Sequence, residues 1–171
     1  MLLQKFKSMI PIRIKKLFKS LIARNIKKKP PYFINVFDKV SKNSFFLLLR
    51  KDSFMEPKIK NNGLYGDWEK ESLKLWANLS KNANVILDIG ANTGIFSILA
   101  AVNNPNSRIY AIEPIDTNYN VLIKNINKNK LTNIEVAKVA MSNENGVAKM
   151  FMLKDKLNYM TSVNLDRYTT S

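Results

Sequence analysis

From Asp67 onward the apolar positions of the chain switch between two spacings. VILDI (85–89), RIYAIE (108–113) and IEVAKVAM (134–141) are short apolar or alternating runs that read as strands, the first apolar on both faces as in a buried parallel sheet. GIFSILAAVN (94–103) and residues 116–128 repeat at helical spacing, the latter with Tyr119, Leu122, Ile123 and Ile126 on one stripe. Residues 67–80, DWEKESLKLWANLS, predict an earlier helix. Asp67 would cap it, Glu69 and Glu71 suit its first turn, and Trp68, Leu75, Trp76 and Leu79 line one side. VAKMFML (147–153) is a fourth extended piece. Strand, helix, strand, helix, strand in this order predicts an α/β fold with a parallel, doubly wound sheet and right-handed crossovers.

The pattern upstream is different. Between Pro30 and Gly66, short apolar runs alternate with polar, Pro or Gly breaks. YFINVF and FFLLLR predict two strands of a hairpin. Residues 30–66 read as an N-terminal cap region, with the core of an accessory sheet as the alternative. In residues 1–29 the apolar positions 14, 17, 18, 21 and 22 form a helical stripe, with basic residues on much of the other face. No uninterrupted apolar run there exceeds three residues, so the arm reads as neither a membrane-spanning helix nor a secretory signal.

Charge sharpens that division. The formal net charge is +15, yet residues 1–29 hold ten Lys or Arg and no acid, which leaves about +5 for residues 30–171. A basic amphipathic arm suits peripheral contact with an anionic membrane; a solvated helix packing its stripe on the domain is the plainer reading. The expected location is cytoplasmic, with the membrane surface as its peripheral variant. Because the charge sits on the arm and not on a domain face, nucleic acid ranks last among partners. The chain has no cysteine and no histidine, which removes thiolate metal sites and the commonest general base. Its 22 asparagines accompany many lysines and isoleucines, so single asparagines carry little weight as signals.

Candidate chemistry gathers at ILDIGANTG (86–94). Gly90 lets the chain turn sharply out of the first strand, and Gly94 lets the next helix start close to it. The intervening N–H groups are expected to point into the crevice at the sheet's carboxyl edge, where open α/β sheets bind ligands. The second strand ends in Glu113, 19 residues after Gly94, placed to accept hydrogen bonds from both hydroxyls of a ribose. Gly90-Ala-Asn-Thr-Gly94 lacks the middle glycine of the dinucleotide fingerprint and is no nucleoside-triphosphate loop. S-adenosylmethionine (SAM), with a ribose and no phosphate, remains. Asp88 at the strand end suits its ammonium group. Each residue also has a plain structural reading: the glycines as a bare turn, Asp88 as a helix cap, Glu113 as a strand-end acid before Pro114.

VILDIGANTGIFSILAA, IYAIEPIDTNYNVLIKNINKN and IEVAKVAMSNENGVAKMFM together resemble the FkbM-type family of SAM-dependent methyltransferases over roughly residues 65–153. The motifs that carry the likeness are D-I-G-A-N-x-G, an E-P at the second strand, and A-x-S followed by N-G. The resemblance implies a Rossmann-like class I methyltransferase fold, with SAM as cofactor. Asp88, Gly90, Ala91, Asn92 and Gly94 would form the SAM loop and Glu113 would bind the ribose. Ala140, Met141 and Ser142 would lie near the adenine. The implied reaction is O-methylation of a hydroxyl on a sugar or natural product, so the expected partner is a small-molecule or glycan acceptor.

The family's acidic I-D-x-E-G strand segment is absent, and the sequence nominates no catalytic residue. Residues 67–171 are therefore expected to be a partial SAM-binding domain, the N-terminal half of the doubly wound sheet of a truncated enzyme. The alternative is a non-catalytic remnant that docks a partner or sits at a membrane. In either case the first strand should present an unpaired edge.

Overall fold

The computed structural model describes residues 29–144, 146–147, 151–152 and 161–162. The basic arm, apart from Lys29, lies outside the described residues, as does part of the 147–153 piece.

YFINVF and SFFLLL form the expected hairpin, β1 (Tyr32–Phe37) and β2 (Ser44–Leu49), paired antiparallel from Tyr32↔Leu49 to Phe37↔Ser44. Two helices follow, α1 (Met55–Asn62) and α2 (Lys70–Leu79). The parallel unit is then β3 (Val85–Ile89), α3 (Ile95–Asn103), β4 (Arg108–Ile112), α4 (Asp116–Asn129) and β5 (Ile134–Ala137). Its strand order is β3-β4-β5, in register from Val85↔Arg108 and Ile109↔Ile134. Order, direction and connections are those of a Rossmann-like α/β unit.

Both crossover helices pack on one face of this sheet. Ile86 and Ile109 meet Ala100 and Ala101 of α3, while Ala111 meets Leu122 and Ile126 of α4. The hairpin lies beyond the helices and belongs to the core. Ile34, Val36, Phe45, Leu47 and Leu49 share one buried cluster with Leu73 of α2 and Ile95, Ile98 and Leu99 of α3. Asparagines on α4 close the outer edge of β2. Asn129 accepts from the Phe46 N–H (2.7 Å) and donates to the Phe46 carbonyl (2.8 Å), and Asn125 accepts from the Leu48 N–H (2.8 Å). The open edge of a strand is thereby satisfied by side chains one helical turn apart.

Four expectations need correction. Asp67 does not cap α2: that helix starts at Lys70, after a turn at Trp68 and Glu69 that brings Trp68 edge-to-face with Phe96, ring centroids 6.1 Å apart. Its buried side is Leu73 and Ala77, and Leu75 and Leu79 are exposed. The third strand of the parallel sheet stops at Ala137 and not at Met141. Its last bond to β4 is Glu113 N–H to Ala137 O, after which Pro114 offers no N–H to continue. Of the fourth extended piece, Phe151–Met152 is a described strand, β6, pairing antiparallel with β7 (Thr161–Ser162) outside the parallel sheet.

The other face of β3 is bare among the described residues. Val85, Leu87 and Ile89 are 57%, 57% and 61% exposed. VILDI therefore reads apolar on both faces while only one of them is covered by described residues.

Candidate functional site

The β3–α3 junction places its glycines for two different reasons. Gly90 has φ +81° and nothing within 4 Å of where a Cβ would stand, so it faces open space. Gly94 has φ +89° and sits under α4, where a Cβ would lie 2.3 Å from Leu122 Cδ1. The first glycine leaves room above the loop. The second lets two helices close around it.

The loop's amide groups are largely consumed inside the protein. Gly90 N–H and Ala91 N–H both donate to the Ile112 carbonyl (2.9 Å each), Asn92 N–H donates to Glu113 Oε2 (2.8 Å), and Gly94 N–H donates to the Ala91 carbonyl (2.8 Å). The expectation that the intervening N–H groups point into the crevice is overturned for Ala91 and Asn92. They tie the loop to the end of β4 instead. A phosphate needs free N–H donors at such a turn, and these four are taken.

Carboxylates surround the loop. Asp88, 8% exposed, accepts from the Ser97 hydroxyl at 2.5 Å. Burial pushes its carboxyl above the ordinary value of 3.8; the Ser97 hydrogen bonds oppose this and the neighbouring Glu113 charge adds to it. Glu113, 3% exposed, accepts from the Asn92 N–H and from the Ile115 N–H (3.0 Å). A carboxylate offers about four lone-pair sites, so two bonds leave Glu113 capacity for a ligand's hydroxyls. A third acid, Glu56 of α1, accepts from the Thr93 hydroxyl at 2.8 Å. Nothing in the motif pointed to Glu56; its one sequence signal is an acid in the first turn of a short helix.

A cavity of about 240 Å³ opens in front of this loop. Gly90, Ala91 and Asn92 form one wall, and Phe54, Trp68 and Phe96 face them. The Asn92 backbone is left-handed (φ 53°), and its Oδ1 is buried with no hydrogen-bond partner among the described residues. Asp88, Gly94 and Glu113 do not line this cavity, and Ala140, Met141 and Ser142 follow β5 in exposed coil at the same carboxyl edge of the sheet. Met141 is 56% exposed. The cavity therefore gathers Gly90, Ala91 and Asn92, but not Asp88, Gly94, Glu113 or the 140–142 segment. A second cavity, about 260 Å³, lies between β1 and the end of α1 with Lys39, Lys60 and Tyr65 on its walls, and no motif residue lines it.

Fold and site together define a Rossmann-like α/β domain with an acid-ringed glycine loop at the carboxyl edge of its parallel sheet. No family model matches the chain. It is similar to a tRNA1(Val) (adenine(37)-N6)-methyltransferase of Pseudoalteromonas translucida, 41% identical over 64 residues, which is 37% of this chain. The chain spans 27% of the length of that curated relative. Among solved structures it is similar to M. jannaschii TYW2 in complex with AdoMet, with 23% identity, 63% of this chain, 43% of that one and a TM-score of 0.46. A precorrin-6y C5,15-methyltransferase from Geobacter metallireducens GS-15 matches at 27% identity over 43% of this chain and 40% of that one, TM-score 0.37.

Proposed function

We propose that the chain binds SAM at the Asp88–Gly94 loop and acts in methyl transfer. The observation that carries this is the loop's polarity. Four of its amides are spent internally, three buried carboxylates surround it, and one buried acceptor, Asn92 Oδ1, has no hydrogen-bond partner among the described residues. That set disfavours a phosphate and suits a cationic nucleoside with N–H and O–H donors. Bound there, SAM would supply an electrophilic methyl group on a sulfonium. Glu113 would accept the ribose hydroxyls with its remaining lone pairs. Asn92 would line the cavity, and Asp88 would hold α3 in place through Ser97 while adding negative charge beside the loop. Ala140, Met141 and Ser142 would form the adenine side. The aromatic rings of Trp68 and Phe96 offer π surface to a cation or a planar group, while Phe54 already carries Lys58 Nζ over its ring at 4.4 Å.

For the acceptor, the FkbM-type motifs support a hydroxyl on a sugar or natural product, and O-methylation is the reading adopted. The curated relative acts on an adenine of tRNA by its name, so an RNA base is the comparison to make. Calorimetric titration decides the cofactor: SAM and S-adenosylhomocysteine should bind and NAD⁺ should not. NAD⁺ binding, or no response to SAM, overturns the assignment. Transfer of labelled methyl from SAM to a panel of glycans and tRNA then decides the acceptor.

The face and edge of β3 that the described residues leave uncovered favour a second reading, a non-catalytic module that docks a partner there or sits at a membrane through residues 1–29. Folded chain that binds SAM yet transfers no methyl group to any acceptor of the panel would move this reading to first place.

A further inference from the structure

Of the three acids that meet the loop, Glu56 alone comes from outside the β–α–β unit. It is 1% exposed, and its Oε1 takes the Thr93 hydroxyl across 37 residues of chain at 2.8 Å. Burying a carboxylate is costly unless it is held by hydrogen bonds, and the apolar contacts of α1 already come from Met55 and Ile59. Thr93, 3% exposed, is gripped a second time: its carbonyl accepts from Asn125 Nδ2 at 2.8 Å. Asn125 in turn holds β2 through Leu48. The loop residue between two left-handed positions, Asn92 (φ 53°) and Gly94 (φ +89°), is thus fixed at its side chain by α1 and at its backbone by α4. Such backbone persists when the surroundings over-determine it.

We infer that Glu56 is a positioning residue for the cofactor loop: by holding Thr93 it keeps the cavity wall formed by Asn92 and Thr93 in place and so sets the affinity for SAM. The affinity part rests on the SAM reading above. Residues 30–66 then serve the site directly, as the outer anchor of the loop.

The test is SAM titration of the 171-residue chain and its variants, with amide hydrogen exchange on each. Glu56→Gln keeps an acceptor for the Thr93 hydroxyl and should bind within about twofold of wild type; Glu56→Ala and Thr93→Val should each weaken SAM by about tenfold. The double variant should be no weaker than the worse single one, because both remove the same contact. Exchange at residues 92–94 should quicken in Glu56→Ala while β4, residues 109–112, stays protected. A solely structural Glu56 would lower the melting temperature and leave the affinity unchanged. Wild-type affinity in Glu56→Ala, or Glu56→Gln as weak as Glu56→Ala, overturns the inference. If Glu56→Ala does not fold, Thr93→Val against Thr93→Ser carries the same contrast. If wild type binds no SAM, the cofactor reading fails, and the exchange rates alone decide whether Glu56 positions the loop.

Discussion

Gly90 and Gly94 look equivalent in the motif and are not. Alanine at Gly94 would be strained by φ +89° and would meet Leu122 Cδ1 at 2.3 Å. Together these should destabilise the fold by about 2–4 kcal/mol, read as a shift in urea midpoint. Alanine at Gly90 carries only the φ penalty, about 1 kcal/mol, because nothing stands within 4 Å. Its larger effect should be on SAM affinity, since the new methyl group would occupy the open space above the loop. Asp88 gives a second prediction. Its carboxyl is raised by burial, so the folded state holds that proton more tightly than the unfolded chain does. The stability this brings is complete below the ordinary value of 3.8 and is lost as pH rises through the raised one. Asp88→Asn keeps an acceptor for Ser97 and has nothing to titrate. Its urea midpoint should gain on wild type as pH rises above 3.8 and through the raised value. Parallel pH profiles in the two proteins would contradict the buried environment assigned to Asp88.

Among the elements, the hairpin and the asparagines of α4 show what the sequence could carry. Hydrophobic spacing located β1, β2, β3, α3, β4 and α4 to within a residue or two, because each buries one apolar side and the period reports it. It also located the glycine loop and Glu113, whose roles depend on backbone turns that glycine and a strand end announce. Contacts between distant segments are not periodic. Glu56 meeting Thr93, Trp68 and Phe54 walling the cavity, and Asn125 bridging β2 to the loop all depend on tertiary placement, and a composition rich in asparagine hid the last of these. The Asp38 knot at the end of β1 is similar. Burial raises its carboxyl, but hydrogen bonds from Ser41, Tyr65 and Val40 outweigh that and hold it below 3.8, fastening the hairpin turn to the α1–α2 connection. Asn125→Ala should expose how much the elements rely on such staples. It leaves the Leu48 N–H and the Thr93 carbonyl without their partner in a fully buried site. At about 1–3 kcal/mol for each bare group, a loss of about 2–5 kcal/mol is expected by chemical denaturation. A loss under about 0.5 kcal/mol would mean that water or a shifted backbone replaces both bonds.

The whole molecule is lopsided in both charge and cover. Most of its net positive charge lies on residues 1–29, while three buried acids ring the loop. Among the described residues no helix is long and apolar enough to cross a membrane. The helices, hairpin and cavity all belong to one side of the parallel sheet. On the other side Val85, Leu87 and Ile89 form an exposed apolar row beside the edge of β3, which among the described residues pairs with β4 alone. The contrast with β2, whose outer edge is closed by Asn125 and Asn129, is a physical one: the first edge is satisfied by side chains and the second offers N–H and C=O groups along with apolar surface. Such a row should drive association of the isolated chain, and a charge on it should suppress that association. Leu87→Glu tests this, because Leu87 is 57% exposed and lies mid-strand. Sedimentation at increasing concentration should show wild type associating and Leu87→Glu remaining at lower mass, with the urea midpoint changed by no more than about 0.5 kcal/mol equivalent. A loss of about 2 kcal/mol or more would instead mean that Leu87 is covered in the folded chain, because only a buried leucine resists a carboxylate so strongly.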